Sequence, residues 1–503
     1  MKQIYYLMVI GFLLVSILNA QNALLYKIDL PDMSTARMTA QVVKGYNGNI
    51  LSLGGHTTGF SLLNTGTAIK DTGVVFTDFN LSDNRDNAGI IHLKDSTALL
   101  VGGMSSALGI GQLSSTERIY PHTMASVAGP NMIHARTMAN GVQLLDGRVL
   151  VTGCWYNEAA ATQGELINLS NNLVVTTGNL NQPRAYPTIV ATNDGNALLF
   201  GGWGVFGGEF SGMVEEYNTA TNQFTVVREQ LFADDPDFRV VTDFGEDMQN
   251  RTLPDGKKIF LARKFQNGTG WRLFTVDPAT KQIEVYPGYL PVADTSTGAV
   301  FIYLSPVVDN KSGSLLMIPR LSTDGQGVHH LNILFGHPGL GNLLRQGNAD
   351  ITLNHWPYYA ARTIYNPSHI TSGIIFMGGN ISSNFDPVPN AFVAVLNDMV
   401  GINETTEVPA VFNLTQNYPN PFSSGSLTGN SETVIRFVLP VSGYVEGLVY
   451  DVLGREVANL VNGEIEAGSH ELKFNADGLP SGIYIFHLKA GKYSSAIKMV
   501  VEK

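Results

Sequence analysis

The sequence predicts an all-β protein made of a seven-bladed β-propeller followed by a small Ig-like β-sandwich. Three observations carry that prediction. An arginine recurs at one fixed distance before a glycine, as Arg37 stands before Gly54, and the pair returns at a nearly constant interval. A turn dipeptide and a short apolar run precede each of those glycines. The segment from Asn417 to Lys503 breaks the pattern and alternates apolar with polar positions instead.

The repeating units come first in the chain. Arg37 and Gly54, Arg85 and Gly102, Arg136 and Gly153, and Arg184 and Gly201 mark four of them, with identical separation inside each pair and nearly equal steps from one pair to the next. The dipeptides Asn47-Gly48, Asp95-Ser96, Asp146-Gly147 and Asp194-Gly195 each end at the same place ahead of the glycine. A strand such as Val149-Leu150-Val151 follows, which is a hairpin signal because such residues tolerate the left-handed backbone of a tight turn. The register continues through Asp255-Gly256 to Ala262, Ser312-Gly313 to Pro319, and Ser372-Gly373 to Gly379. Seven units result, with six blades as the alternative if the longer fifth and sixth units absorb insertions differently. Strand units of about 40 to 50 residues cannot bury both faces alone and stack around an axis.

The fourth unit, with Arg184, Gly201-Gly202, Glu215-Glu216-Tyr217-Asn218 and Thr221-Asn222-x-Phe224, resembles a kelch repeat. Gly54-Gly55, Gly102-Gly103 and Gly378-Gly379 repeat the diglycine, Gly153-Cys154 departs from it, and Arg362 stands before Gly379 at the distance seen in the other pairs. The resemblance covers roughly residues 24–400 and implies a propeller of the kelch and galactose-oxidase-like group. The bland expectation for the arginines is bonding to backbone or acid within the ring.

The segment 417–503 opens with Tyr418-Pro419-Asn420-Pro421-Phe422, whose prolines fix φ and hold the chain extended. Alternating stretches at 433–439, 445–449 and 483–488 are bounded by turn residues and read as a small sandwich. With Tyr450-Asp451-x-x-Gly454, Gly468-x-His470, Leu479-x-Ser481-Gly482-x-Tyr484 and a late Lys498, the segment resembles the C-terminal sorting domain of type IX secretion cargo. The resemblance implies the type IX machinery as partner and an extracellular or outer-membrane-surface destination. Residues 401–416 read as a linker.

At the other end, Lys2, an apolar run from Ile4 to Leu18 and Asn19-Ala20-Gln21 read as a Sec-type signal peptide over residues 1–20. No other stretch reaches membrane-spanning length, so no transmembrane segment is expected in the mature chain. A net charge of -11 argues against nucleic acid as a partner. The single Cys154 excludes an intramolecular disulfide, and the ring must be held by packing.

The chemistry is sparse, and a module that binds a glycan or a protein is expected rather than an enzyme. Trp155, Trp203 and Trp356 are the aromatic candidates for the binding face. Arg37, Arg136, Arg184 and Arg362 would hold an acidic sugar if the ring were instead a carbohydrate-active enzyme of the sialic-acid hydrolase or epimerase kind. A copper-radical oxidase, the further alternative that the resemblance suggests, would pair Cys154 with tyrosine and histidine ligands, yet no Tyr-His pair is adjacent. His329-His330, His337 and His355 match no metal-ligand spacing, and the acidic run from Asp234 to Asp247 lacks that of a calcium loop. No metal or cofactor is expected.

Overall fold

The computed structural model describes residues 23–502 except 46–47, 70–75, 107–110, 206–210, 236–237, 241–250, 265–269, 286–289, 291–292, 295–298, 310–314, 337–343, 358–359, 365–371, 382–385, 399–412, 415, 418, 424–430, 440–442, 466–467 and 492. The signal-peptide and linker assignments, Tyr418, His337 and most of the acidic run lie outside the described residues. The chain divides into two compact units, 1–400 and 401–503.

The first unit is a closed ring of seven antiparallel blades among the described residues. Blade 1 is built from Gln41–Lys44, Ile50–Leu53, Thr65–Ile69 and Phe76–Asn80, and blades 2, 3 and 4 repeat that order. Blade 5 keeps it with Phe238–Val240, Lys258–Lys264, Trp271–Val276 and Ile283–Val285. Blade 6 is larger, centred on the long hairpin Leu315–Thr323 and His329–Gly336. Blade 7 combines Ala361–Ile364, Ser372–Met377 and Ala391–Asp398 with the N-terminal strand Ala23–Asp29, whose Leu25 pairs with Leu396.

Packing fixes the blade number. An apolar cluster lies at every junction between successive blades, and each draws side chains from both neighbours. Leu51, Leu53 and Ala68 meet Ile90 and Leu100 between blades 1 and 2, and Ile375 and Val393 meet Val42 and Ile50 between blades 7 and 1. The series continues without a gap through blades 2–3, 3–4, 4–5, 5–6 and 6–7. A blade in such a stack is covered on both faces. This explains why the second strands read as unbroken apolar runs: Ala98–Val101, Val149–Thr152 and Ala197–Phe200 are buried at every position.

The constant arginine-to-glycine separation has a direct cause. The side chain of each repeat arginine reaches the carbonyl of the first glycine: Nη1 donates from Arg37 to Gly54 O at 3.1 Å, Arg85 to Gly102 O at 2.7 Å, Arg136 to Gly153 O at 3.4 Å and Arg184 to Gly201 O at 3.2 Å. The intervening hairpin has fixed length, since Gly48, Ser96, Gly147 and Gly195 all sit at positive φ and close the same turn. The second glycine position donates its N–H to the arginine carbonyl of the next blade, as Gly55 to Arg85 O at 2.9 Å and Gly103 to Arg136 O at 2.8 Å. One arginine therefore ties strands within its own blade by its side chain and joins the neighbouring blade by its backbone.

The first glycine tolerates no Cβ. At Gly102, φ is +58° and an added Cβ would stand 2.2 Å from Arg136 O. Gly102→Ala is expected to destabilise the ring, with about 1–3 kcal/mol arising from the strained φ alone. A urea midpoint for Gly102→Ala equal to that of the parent chain would contradict this account.

Blade 7 corrects the sequence register. Gly379 is the second glycine of its pair, so counting back from it puts Ser372-Gly373 one position out of phase and selects the wrong residue, Arg362. Arg362 lies within the strand Ala361–Ile364, opposite Phe376. The backbone bridge that joins Met38 to His56, Asp86 to Met104 and Ala185 to Trp203 joins Trp356 to Asn380 here. His355, not Arg362, therefore holds the arginine's place ahead of Gly378. The inner hairpin of this blade is longer than in the other units, and a rule of fixed length could not follow it.

The second unit is a sandwich of a three-stranded sheet, Asn413–Leu414, Glu432–Leu439 and Gly468–Asn475, and a five-stranded sheet containing Gly443–Asp451, Glu456–Ile465, Gly482–Ala490, Tyr493–Glu502 and the short Phe422–Ser423. Ile435, Phe437, Val445, Val449, Phe474, Phe486 and Met499 fill its core. No helix among the described residues is long and apolar enough to cross a membrane.

Candidate functional site

Antiparallel order sends alternate connections to opposite ends of the ring. One end carries the tight turns such as 93–97 and 144–148. The other carries the longer connections between second and third strands, together with every repeat arginine and diglycine. Variable loops on a rigid scaffold make that second end the candidate functional face.

The arginines proposed from sequence as ligand contacts do not present themselves there. Arg37, Arg136 and Arg184 are fully buried and Arg362 nearly so. Arg37 donates to Thr65 O at 3.0 Å and Thr67 Oγ1 at 2.9 Å. Arg136 reaches Gln163 O at 2.6 Å and Glu165 Oε1 at 2.8 Å, and Arg184 pairs with Glu215. Desolvation lowers the guanidinium pKa values of Arg37, Arg136 and Arg184, with the facing carboxylates pulling the other way at Arg136 and Arg184; Arg37, where only the charge of Asp78 opposes burial, falls to about 10. Arg37, Arg136 and Arg184 thus direct their guanidinium groups to backbone and side chains of their own blades.

Their partners escaped the sequence. Glu117, Glu165 and Glu215 are fully buried, one per blade on the third strand. Each carboxylate also accepts from the loop that leads to its own blade: Ser82 N at 2.7 Å, Ile133 N at 2.7 Å and Asn181 N at 2.7 Å. They stand 32, 29 and 31 residues after their arginines, and this uneven spacing, set by loop length, hides them.

The position after the diglycine recurs on the candidate face, held by the bridge described above. It is His56 in blade 1, Met104 in blade 2, Trp155 in blade 3, Trp203 in blade 4 and Asn380 in blade 7. Trp155 and Trp203 thus occupy equivalent places in adjacent blades. Their rings meet edge to face with centroids 5.3 Å apart, both half-buried, and Tyr156 stands edge-on to Trp155 at 6.4 Å. Trp356 is elsewhere, packed on the blade 6–7 cluster with its ring 4.9 Å from His329. His355 beside it is buried, and desolvation lowers its pKa to about 4.

Two residues beyond each repeat arginine the backbone turns left-handed without glycine: Thr39 at φ 56°, Asn87 at 49°, Met138 at 55° and Tyr186 at 46°. Met138 N donates to Asn87 O at 2.9 Å and Tyr186 N to Met138 O at 2.6 Å, so these residues follow one another around the ring. Such conformations in non-glycine residues cost free energy and gather at functional sites.

In the sorting unit the motif residues pin the ends together. Asn420 Nδ2 donates to Lys498 O at 2.9 Å, and Val500 N donates to Asn420 Oδ1 at 2.7 Å. Phe422 enters the core beside Phe474. Asp451 accepts from Leu453 N and Arg455 N around the Gly454 turn, where φ is +78°. Tyr484 donates its hydroxyl to Pro480 O at 2.9 Å, Gly482 opens the strand that carries it, and Gly468 opens the strand paired with Glu432–Leu439.

Comparison with known proteins agrees with these two units. The family model described as a secretion system C-terminal sorting domain matches residues 416–502. A solved fungal alcohol oxidase of the AA5 family, in complex with copper, aligns over 96% of this chain and 100% of its own with a TM-score of 0.54 at 11% identity, a likeness of fold. No curated protein matches the sequence. The described residues do not supply a set of ligands for that copper. Among the described residues no three His, Cys, Asp or Glu side chains gather at one point. Cys154 is buried against Ala160 and Ala161 with Sγ 3.4 Å from Gln112 Oε1. The ring has the fold of a galactose-oxidase-like kelch propeller, and the domain behind it is a type IX sorting domain that sends the chain to the cell surface or the extracellular space.

Proposed function

We propose that the protein is an exported propeller that binds a glycan outside the cell on its loop-bearing face. The observation that carries this reading is the Trp155–Trp203 pair, two half-buried indoles at equivalent positions of adjacent blades. An edge-to-face pair offers one ring face to the C–H side of a sugar while the other ring walls the site. The buried arginines and the net charge of -11 favour an uncharged glycan over an acidic one.

The full exported chain applied to a glycan array tests this. Trp155→Ala and Trp203→Ala are each expected to lose roughly 2 kcal/mol, about a thirtyfold weakening, as anchor residues do. Trp356→Ala is expected to bind as the parent does. Binding of the same glycans with equal strength by the Trp155→Ala/Trp203→Ala chain would refute the assignment, as would an array with no glycan retained and a protein captured instead.

A further inference from the structure

A buried polar group on the same face is left unused by the aromatic pair. Asp86, the first residue after the blade 2 arginine, gathers donors onto both carboxylate oxygens. Oδ2 receives His56 Nδ1 at 3.0 Å and Asn87 Nδ2 at 3.1 Å, and Oδ1 receives Asn87 N at 2.9 Å and the Thr39 hydroxyl. Thr39, His56, Asp86 and Asn87 are all more than nine-tenths buried. A carboxylate so placed only accepts, and it holds the imidazole with Nδ1–H toward it and a free electron pair on Nε2.

That Nε2 has no hydrogen-bond partner among the described residues. A latch between blades 1 and 2 would need Nδ1 alone, and an unpaired buried acceptor costs about 1–3 kcal/mol. The side-chain amide oxygen of Asn87 is likewise unpartnered among the described residues. Tyr186 reaches the group from blade 4. Burial and then the Asp86 charge raise its pKa, and the Gln41 amide lowers it in part, so the phenol stays a neutral donor at working pH. Buried Met38 and Met104 bracket the Asp86 and His56 backbone through the two bridges. The Phe60 ring lies stacked on the His56 ring at 4.9 Å; it is itself half exposed, at φ 58°.

We propose that His56 is the general base of a hydrolytic site for uncharged, apolar esters, held by Asp86 and Thr39, with the Phe60 ring swinging aside to admit water and ester to the sealed Nε2. Nε2 takes a proton from a water molecule as its oxygen bonds to the ester carbonyl carbon, and the carbonyl π pair moves onto oxygen. Collapse re-forms the C=O bond and breaks the bond to the alkoxide, which takes the proton from Nε2–H; ester and water become acid and alcohol with no other reactant. An ester suits a single base. Glycoside hydrolysis asks for a second carboxyl group, and the one carboxylate here is already filled with donors. The Asp86 charge disfavours anionic substrates, and the methionine and phenylalanine side chains favour an apolar acyl group.

The full chain assayed with 4-nitrophenyl acetate and butyrate decides the matter. Turnover above that of free imidazole is expected. His56→Gln is expected to lower kcat by about a hundredfold or more. Asp86→Asn is expected to lower kcat with little change in KM and to displace the pH profile, since it releases the ring orientation. No turnover in the parent chain, or equal turnover in a folded His56→Gln chain, overturns the proposal. Should His56→Gln not fold, Phe60→Ala decides: a changed butyrate-to-acetate rate ratio supports the site, and an unchanged ratio overturns it.

Discussion

A chain ending at residue 415 is expected to fold its ring and to remain inside the outer membrane. The ring holds its own interblade clusters and its own closing strand, and the sandwich holds a separate core built from Ile435, Phe437, Phe474 and Phe486. Each core is made of residues from its own unit. Loss of nearly all surface and extracellular protein is therefore expected, with the truncated chain recovered from the periplasm and showing the urea midpoint of the ring in the full chain. An unfolded truncated ring would sink the division into two units. Undiminished export would move the sorting function out of residues 416–502.

The second large effect is expected at Glu215. Its carboxylate and the Arg184 guanidinium are both fully buried and bonded to each other. Arg184 also reaches Gly201 O and Met213 O. Removing one member leaves a buried charge without its partner, and Glu215→Ala is expected to cost about 3–5 kcal/mol in equilibrium unfolding. The double change Arg184→Met with Glu215→Leu is expected to recover most of that loss, because well-packed apolar residues can replace a buried ion pair. The adjacent Glu216 supplies the contrast. It pairs with Lys281 at 2.5 Å nearer the solvent, where removal is expected to cost roughly 0–1 kcal/mol. Equal losses at Glu215 and Glu216 would show that the buried pair does not hold the blade.

Much of the ring was legible because the repeat arginine measures a length. Its side chain spans a hairpin of constant size, so the bond from Arg37 to Gly54 O writes itself into the sequence as a constant separation, repeated at Arg85, Arg136 and Arg184. Where the hairpin grows, as between His355 and Gly378, the rule misses the true position and selects Arg362, seven residues further along. The wrong residue is chosen for a physical reason, because a bridge in the backbone sets the register and any side chain may follow it.

The site was legible only by residue type. Trp155 and Trp203 stand out as rare aromatics after glycine or its substitute. His56 and Asp86 do not, since 30 residues separate them and they belong to different blades. Both follow landmarks already counted, one after the Gly54-Gly55 pair and one after Arg85. Reading the position after each landmark, instead of the landmark alone, would have found them.

The pairing of Ala23–Asp29 with Ala391–Asp398 sets an order of events as well as a shape. Leu25 waits for Leu396, so a chain that is made or exported from its N-terminus cannot complete blade 7 until nearly the whole ring has followed. Contacts of such long separation form late because the loop they close is costly. The blade 6–7 and 7–1 clusters, to which this sheet contributes, stay incomplete until then, and the last residues of the ring to arrive are also the ones that leave the sorting domain next in line. Completion of the fold and presentation of the export signal are thereby consecutive steps along one chain.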